Sequence, residues 1–179
     1  MAEKRLKIAI IGAGMIANAG HIPGWKSRDQ DVEVVGVYNR HEERARRTAA
    51  RHQIPHAYGD WEQMLAELEP DIVSVCTPNV SHKMLAIGAL EAGAHVLCEK
   101  PVAASYADAV DMFAAAERVG KILFVSQTGR FGNGAVAAKE LADSGRLGQM
   151  YYAETSAFRR RGVPTWGHFH MKEESGGGP

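Results

Sequence analysis

Residues 8–17, Ile8-Ala9-Ile10-Ile11-Gly12-Ala13-Gly14-Met15-Ile16-Ala17, limit what this chain can fold into more than any other stretch. A short apolar run opens onto G-x-G-x-x-A, and in a strand-turn-helix unit that spacing has a mechanical meaning. Gly12 lets the chain turn sharply out of the strand. Gly14 lets backbone approach a pyrophosphate with no Cβ in the way, and Ala17 keeps the following helix close to the sheet. The free N–H groups and positive end of that helix face the phosphates. Gly12, Ala13, Gly14, Met15 and Ile16 are therefore candidate phosphate-binding positions. Glycines at this spacing also suit an ordinary tight turn, so the rest of the chain has to decide.

Strand and helix patterns alternate along the next hundred residues. Strands are expected at Leu6 to Ile11, Val32 to Tyr38, Ala57-Tyr58, Ile72 to Cys76, Ala94 to Cys98 and Ile122 to Val125. Most are continuously apolar, as strands covered on both faces should be. The helix begun at Met15 is expected to break or restart near Pro23. The second helix, about Glu42 to His52, should turn Ala45, Thr48 and Ala49 inward. Asp60 with Gln63, and Ser105 with Asp108, read as capping boxes. Packing faces are expected at Met64, Leu65 and Leu68, then at Val80, Met84, Ile87 and Leu90, then at Ala109, Phe113 and Ala116. Six short alternations of this kind predict an α/β fold built on a doubly wound parallel sheet.

The character changes near Gln127. Residues 129–134 read as a link, about Ala135 to Asp143 as a helix, and Met150 to Phe158 as a strand with one wetted face. A lone helix and strand bury no core. The domains expected are thus 1–128, a dinucleotide-binding unit, and 129–179, the incomplete start of a second, α+β unit.

Charge is balanced, with 21 Lys and Arg against 21 Asp and Glu, which argues against nucleic acid as a partner. No apolar run is long enough for a membrane span, and Met1 to Arg5 lacks the apolar core of a secretory signal. Cys76 and Cys98 have no metal-type spacing and sit in apolar surroundings. They read as buried thiols of a reducing cytoplasm, with no metal site expected.

In a doubly wound sheet, ligands lie outside the carboxyl ends of the strands. Besides the glycine turn, three stretches fall there. At the end of the second strand Asn39 stands where a carboxylate would read the ribose hydroxyls of NAD, and Arg40 and Arg44 follow. An amide does not repel a 2′-phosphate, and a guanidinium pairs with one, so the balance leans towards NADP over NAD. The alternative is that both arginines are solvated and Asn39 serves NAD. Thr77, Pro78 and Asn79 form a stiff turn with hydrogen-bonding side chains, and His82 in the next helix either lines the site or is structural. Glu99-Lys100-Pro101 ends a buried strand. Desolvation there would suit an ammonium group to acid–base work, with Glu99 tying down a ribose or orienting the lysine. Read without context, the same tripeptide is a solvated turn.

Taken in this order, the chain resembles the Gfo/Idh/MocA family, the glucose–fructose oxidoreductase and inositol dehydrogenase group. The likeness rests on Gly12 to Ala17, on Cys76-Thr77-Pro78-Asn79 with His82, and above all on Ala92-Gly93-Ala94-His95-Val96-Leu97-Cys98-Glu99-Lys100-Pro101. Arg130-Phe131 and Gly145-x-x-Gly148 also fit. The resemblance implies a Rossmann cofactor domain, hydride transfer between nicotinamide and a sugar or polyol carbon, Lys100 as the active-site lysine and Glu99 as a cofactor contact. It also implies a small-molecule substrate and a possible homo-oligomer assembled through the second domain. Members run to about twice this length, with an Asp and a His four apart after a glycine run like Ser175 to Gly178; His168 and His170 precede those glycines and are not equated with that histidine. Arg159, Arg160, Arg161 and Trp166 fall where the family approaches nicotinamide and substrate, or form the basic rim of a loop. An isolated chain of this kind should bind cofactor without useful turnover. The rival expectation is a non-catalytic nucleotide-binding or protein-interaction module on the same fold.

Overall fold

A computed structural model describes residues 4–158 together with Arg160 and Met171. Its core is a six-stranded, all-parallel sheet in the order β3-β2-β1-β4-β5-β6. The strands are β1 (Leu6–Ile11), β2 (Val32–Tyr38), β3 (His56–Tyr58), β4 (Ile72–Val75), β5 (His95–Cys98) and β6 (Leu123–Val125). The helices are α1 (Ile22–Lys26), α2 (Glu42–His52), α3 (Trp61–Leu68), α4 (His82–Glu91), α5 (Tyr106–Arg118) and α6 (Asn133–Asp143). The order reverses between β1 and β4, so the loops leaving those two strands diverge to opposite faces. A crevice opens between them at the carboxyl edge.

β1 shows how sequence becomes layering. Side chains alternate along a strand. Ile8 and Ile10 accordingly join Ala17, Ile22, Ala45 and Ala49 on one face, and Ala9 and Ile11 join the α3, α4 and α5 residues on the other. All four strand residues are fully buried, which is worth about 2 kcal/mol for each isoleucine. The alternation slips once in the neighbouring strand. Ile8 pairs with Val34 but Ala9 with Gly36, a bulge that sets Gly36 against Met64 and Leu68, where a Cβ would push on the tip of the Leu68 side chain.

Three expectations about the helices change. Pro23 does not break the first one. From Met15 to Lys26 the chain stays helical, and a π segment over Ala17–His21, in which Ile22 N–H donates to the Ala17 carbonyl, precedes the proline at the start of α1. The wider turn absorbs the donor that proline lacks. On α4 the buried face is Leu85, Ala86, Ala89 and Leu90, whereas Val80 and Met84 are exposed. On α5 it is Met112, Ala115 and Ala116, and Phe113 is half exposed. Both helices carry apolar residues on more than one side, so spacing alone does not choose the face. Ala45, Thr48 and Ala49 on α2 are buried as expected. Asp60 and Ser105 cap α3 and α5 through the backbone N–H groups of Gln63 and Asp108, although the Gln63 side chain turns forward to Glu67 instead of closing its box.

The chain divides after Ser126 into two compact units. The second holds a 3₁₀ turn over Thr128–Phe131 and then α6, which has no buried residue. Residues 150–158 form no strand among the described residues, contrary to expectation. The segment is exposed throughout, and no neighbouring strand satisfies its backbone. Arg159, Arg161, Trp166, His168 and His170 lie outside the described residues.

Candidate dinucleotide site

The first residue after each central strand is tied to its neighbour by a backbone hydrogen bond. Gly12 N–H donates to Tyr38, Cys76 N–H to Ile11 and Glu99 N–H to Val75, at 2.8, 2.8 and 2.9 Å. These bonds bring all four expected loops level at one edge of the sheet, in the order Asn39-Arg40, Gly12–Ile16, Cys76–Asn79, Glu99–Lys100. Adjacent strands stand about 4.8 Å apart, so the outer two loops are separated by roughly 14 Å. A dinucleotide laid across the edge reaches all four.

The inner pair makes the cradle. Gly12 has a φ of 104°, and a Cβ there would lie 2.7 Å from the Cys76 carbonyl oxygen, so only glycine lets the β1 and β4 exits pass each other. A Cβ on Gly14 would come no nearer than 3.9 Å to protein, so the space above its backbone is open to a ligand. Helix begins at Met15, and its first N–H groups have no intrahelical acceptor. Met15 and Ile16 are 66% and 41% exposed, apolar surface beside a polar notch. This geometry fits a dinucleotide diphosphate.

Asn39 turns its own loop, its Oδ1 accepting from His41 N–H at 3.0 Å. Arg40 is exposed and lines a cavity with Tyr58, Gly59 and Asp60. A larger groove of about 510 Å³ runs between the glycine turn and α2, lined by Gly14, Met15, Asn18, Arg44, Arg47 and Arg51. Arg47 pairs with Glu43, while Arg44 and Arg51 have no ion-pair partner among the described residues. Arg47 and Arg51 were absent from the expected site, although the 44, 47, 51 spacing puts all three on one helix face.

Thr77 Oγ1 accepts from Ser81 Oγ at 2.8 Å, Pro78 is exposed, and Asn79 opens a 3₁₀ turn that leads into α4. His82 is fully buried between two carbonyls, Nδ1 2.9 Å from Pro101 O and Nε2 2.9 Å from Thr77 O. It joins the two loops from below. Lys100 is exposed at the end of the edge, not desolvated by the described residues, and is followed by a cis peptide to Pro101. Glu99 is buried; its Oε1 accepts from His21 Nε2 at 3.0 Å and its Oε2 from Lys100 N–H at 3.2 Å. His21 is not legible in the sequence, because its partner Glu99 lies 78 positions away. Cys76 and Cys98 are free and buried, and burial pushes the Cys98 thiol up to about 12, the Glu99 carboxylate adding to the effect.

Comparisons with known proteins agree with this geometry. D-glucoside 3-dehydrogenase of Escherichia coli is 38% identical over 179 residues, all of this chain and 51% of that protein. A crystal structure of an NAD binding oxidoreductase from Klebsiella pneumoniae superposes with a TM-score of 0.80 at 27% identity, covering 98% of this chain and 49% of that one. The WlbA dehydrogenase from Bordetella pertussis, crystallised with NADH and UDP-GlcNAcA, gives 0.78 at 26% identity over 83% of this chain and 45% of that one. The chain thus spans about half the length of the relatives it matches. A sequence model of the oxidoreductase family with an NAD-binding Rossmann fold, Gfo/Idh/MocA, matches residues 6–127, and the chain belongs to that family.

Proposed function

We propose that this chain is the cofactor-binding portion of an NAD(P)-dependent oxidoreductase that interconverts a carbinol and a carbonyl on a sugar- or polyol-type substrate, and that residues 129–179 begin its substrate domain. The observation that carries the reading is the alignment of four loops along one carboxyl edge, with a Cβ-free notch where the strand order reverses. Two of the proteins named above, D-glucoside 3-dehydrogenase and the WlbA dehydrogenase crystallised with UDP-GlcNAcA, are tied to sugars, which supports the substrate class.

The bound cofactor supplies hydride chemistry at nicotinamide C4. Gly12 shapes the turn, its own N–H being taken by Tyr38, and the backbone N–H groups from Ala13 to Ile16 hold the diphosphate. Asn39 and Arg40 meet the adenosine ribose, and Thr77, Pro78 and Asn79 line the middle of the edge. Lys100 Nζ, at the nicotinamide end, moves a proton to or from the substrate oxygen, and buried Glu99 holds the Lys100 backbone. His82 serves by keeping the Thr77 and Pro101 loops together, since its ring is enclosed and both its nitrogens face carbonyls. The buried, unpaired thiols are in keeping with a reducing cytoplasm.

An unpaired Arg44 beside the glycine turn favours NADP over NAD. Titration of the chain with NADPH and NADH tests this. NADPH should bind more tightly, and Arg44→Ala should weaken NADPH about tenfold while changing NADH less than about twofold. Tighter NADH in the wild type, or an equal loss for both, would overturn the NADP preference. In a chain of its relatives' length, Lys100→Ala should lower kcat by about 10²–10⁴ with cofactor affinity retained.

A further inference from the structure

Glu99 and His21 form a pair taken almost wholly out of water, with side chains 9% and 7% exposed. A carboxylate is tolerated there only where donors replace the lost water. Glu99 has two, His21 Nε2 on one oxygen and Lys100 N–H on the other. The carboxylate is therefore a bridge from the first helix to the backbone of Lys100. His21 closes the π segment, and the extra residue in that turn rotates the later turns by about 100° relative to a regular helix. Its other nitrogen, Nδ1, is buried without a hydrogen-bond partner. An apolar residue would fill the same space without that cost, so packing alone does not account for a histidine here.

We infer that His21 is a positioning residue: through Glu99 it fixes the backbone of the Glu99-Lys100 loop, the end of the carboxyl edge against which the nicotinamide half of the ligand lies. The inference rests on the dinucleotide reading above. It concerns only one half of the ligand, because among the described residues no side-chain hydrogen bond joins the pair to the Gly12–Ile16 or Asn39-Arg40 loops.

The test compares wild type, H21L, H21N and H21Q for binding of NADH and of ADP-ribose, which lacks the nicotinamide. A glutamine amide can stand where Nε2 stands, whereas an asparagine amide stands nearer Nδ1 and falls short of Glu99. ADP-ribose affinity should stay within about twofold in all four proteins. NADH should weaken about tenfold in H21L and H21N but less than about threefold in H21Q. H21N keeps a polar side chain, so the comparison with H21Q stands even where H21L does not fold. Equal losses for NADH and ADP-ribose, or equal behaviour of H21N and H21Q, would overturn the positioning role. A wild-type chain that binds neither nucleotide would instead overturn the dinucleotide reading, and the inference with it.

Discussion

Cys98 lies at the carboxyl end of β5, one residue before Glu99, with its Sγ 3.8 Å from the Val102 carbonyl oxygen. Burial first, and then the neighbouring carboxylate, raise its thiol from 9.0 to about 12. The unfolded chain therefore loses this proton first as pH rises. Its contribution to stability is intact below about pH 9 and falls by about 1.4 kcal/mol per pH unit towards the folded value. Urea melts at pH 8 and pH 10 should show a loss of stability that is smaller in Cys98→Ala. An equal loss in the two proteins would contradict the account. Single residues were legible in the sequence where their chemistry is local. Gly12, Glu99 and Lys100 stand at the expected edge, and both cysteines are buried and free. His21 was not legible, because its role depends on a residue 78 positions away.

At the scale of elements, helix starts were easier to read than helix faces. Ser105 Oγ accepts from Asp108 N–H at 3.1 Å, as the sequence signature implies, whereas the Asp108 carboxylate accepts from the Ser105 hydroxyl at 2.7 Å and not from its backbone N–H. Ser105→Ala removes that cap and should cost about 1 kcal/mol in a urea melt, with nucleotide binding unchanged. A change below about 0.3 kcal/mol would show that water serves the α5 terminus equally well. Faces are set by tertiary contacts. On α4 the small residues Ala86 and Ala89 lie against the sheet, and Met84, the larger candidate, is left outside. The π segment shows the same limit. Pro23 and Gly24 look like a stop in sequence, but Ile22 is fully buried, and keeping the helix running holds it in the core.

For the whole molecule, alternation alone predicts the parallel sheet, and a doubly wound sheet is expected to take its ligand at the carboxyl edge. What sequence could not supply is level alignment of the loops, which arises from backbone bonds between strands distant in the chain. Residues 150–158 mark the other boundary, since a strand pattern becomes a strand only where a neighbour exists to pair with it. The central claim is that one dinucleotide lies across the carboxyl edge from Asn39 to Lys100. Amide chemical-shift mapping of the isotope-labelled chain during titration with NADPH tests it most directly. Perturbations are expected at Gly12–Ile16, Asn39-Arg40, Thr77, Asn79 and Glu99-Lys100 together. Shifts gathered instead at the opposite edge, around Leu6, Asp71, Gly93 and His95, or confined to the arginines of α2, would contradict it.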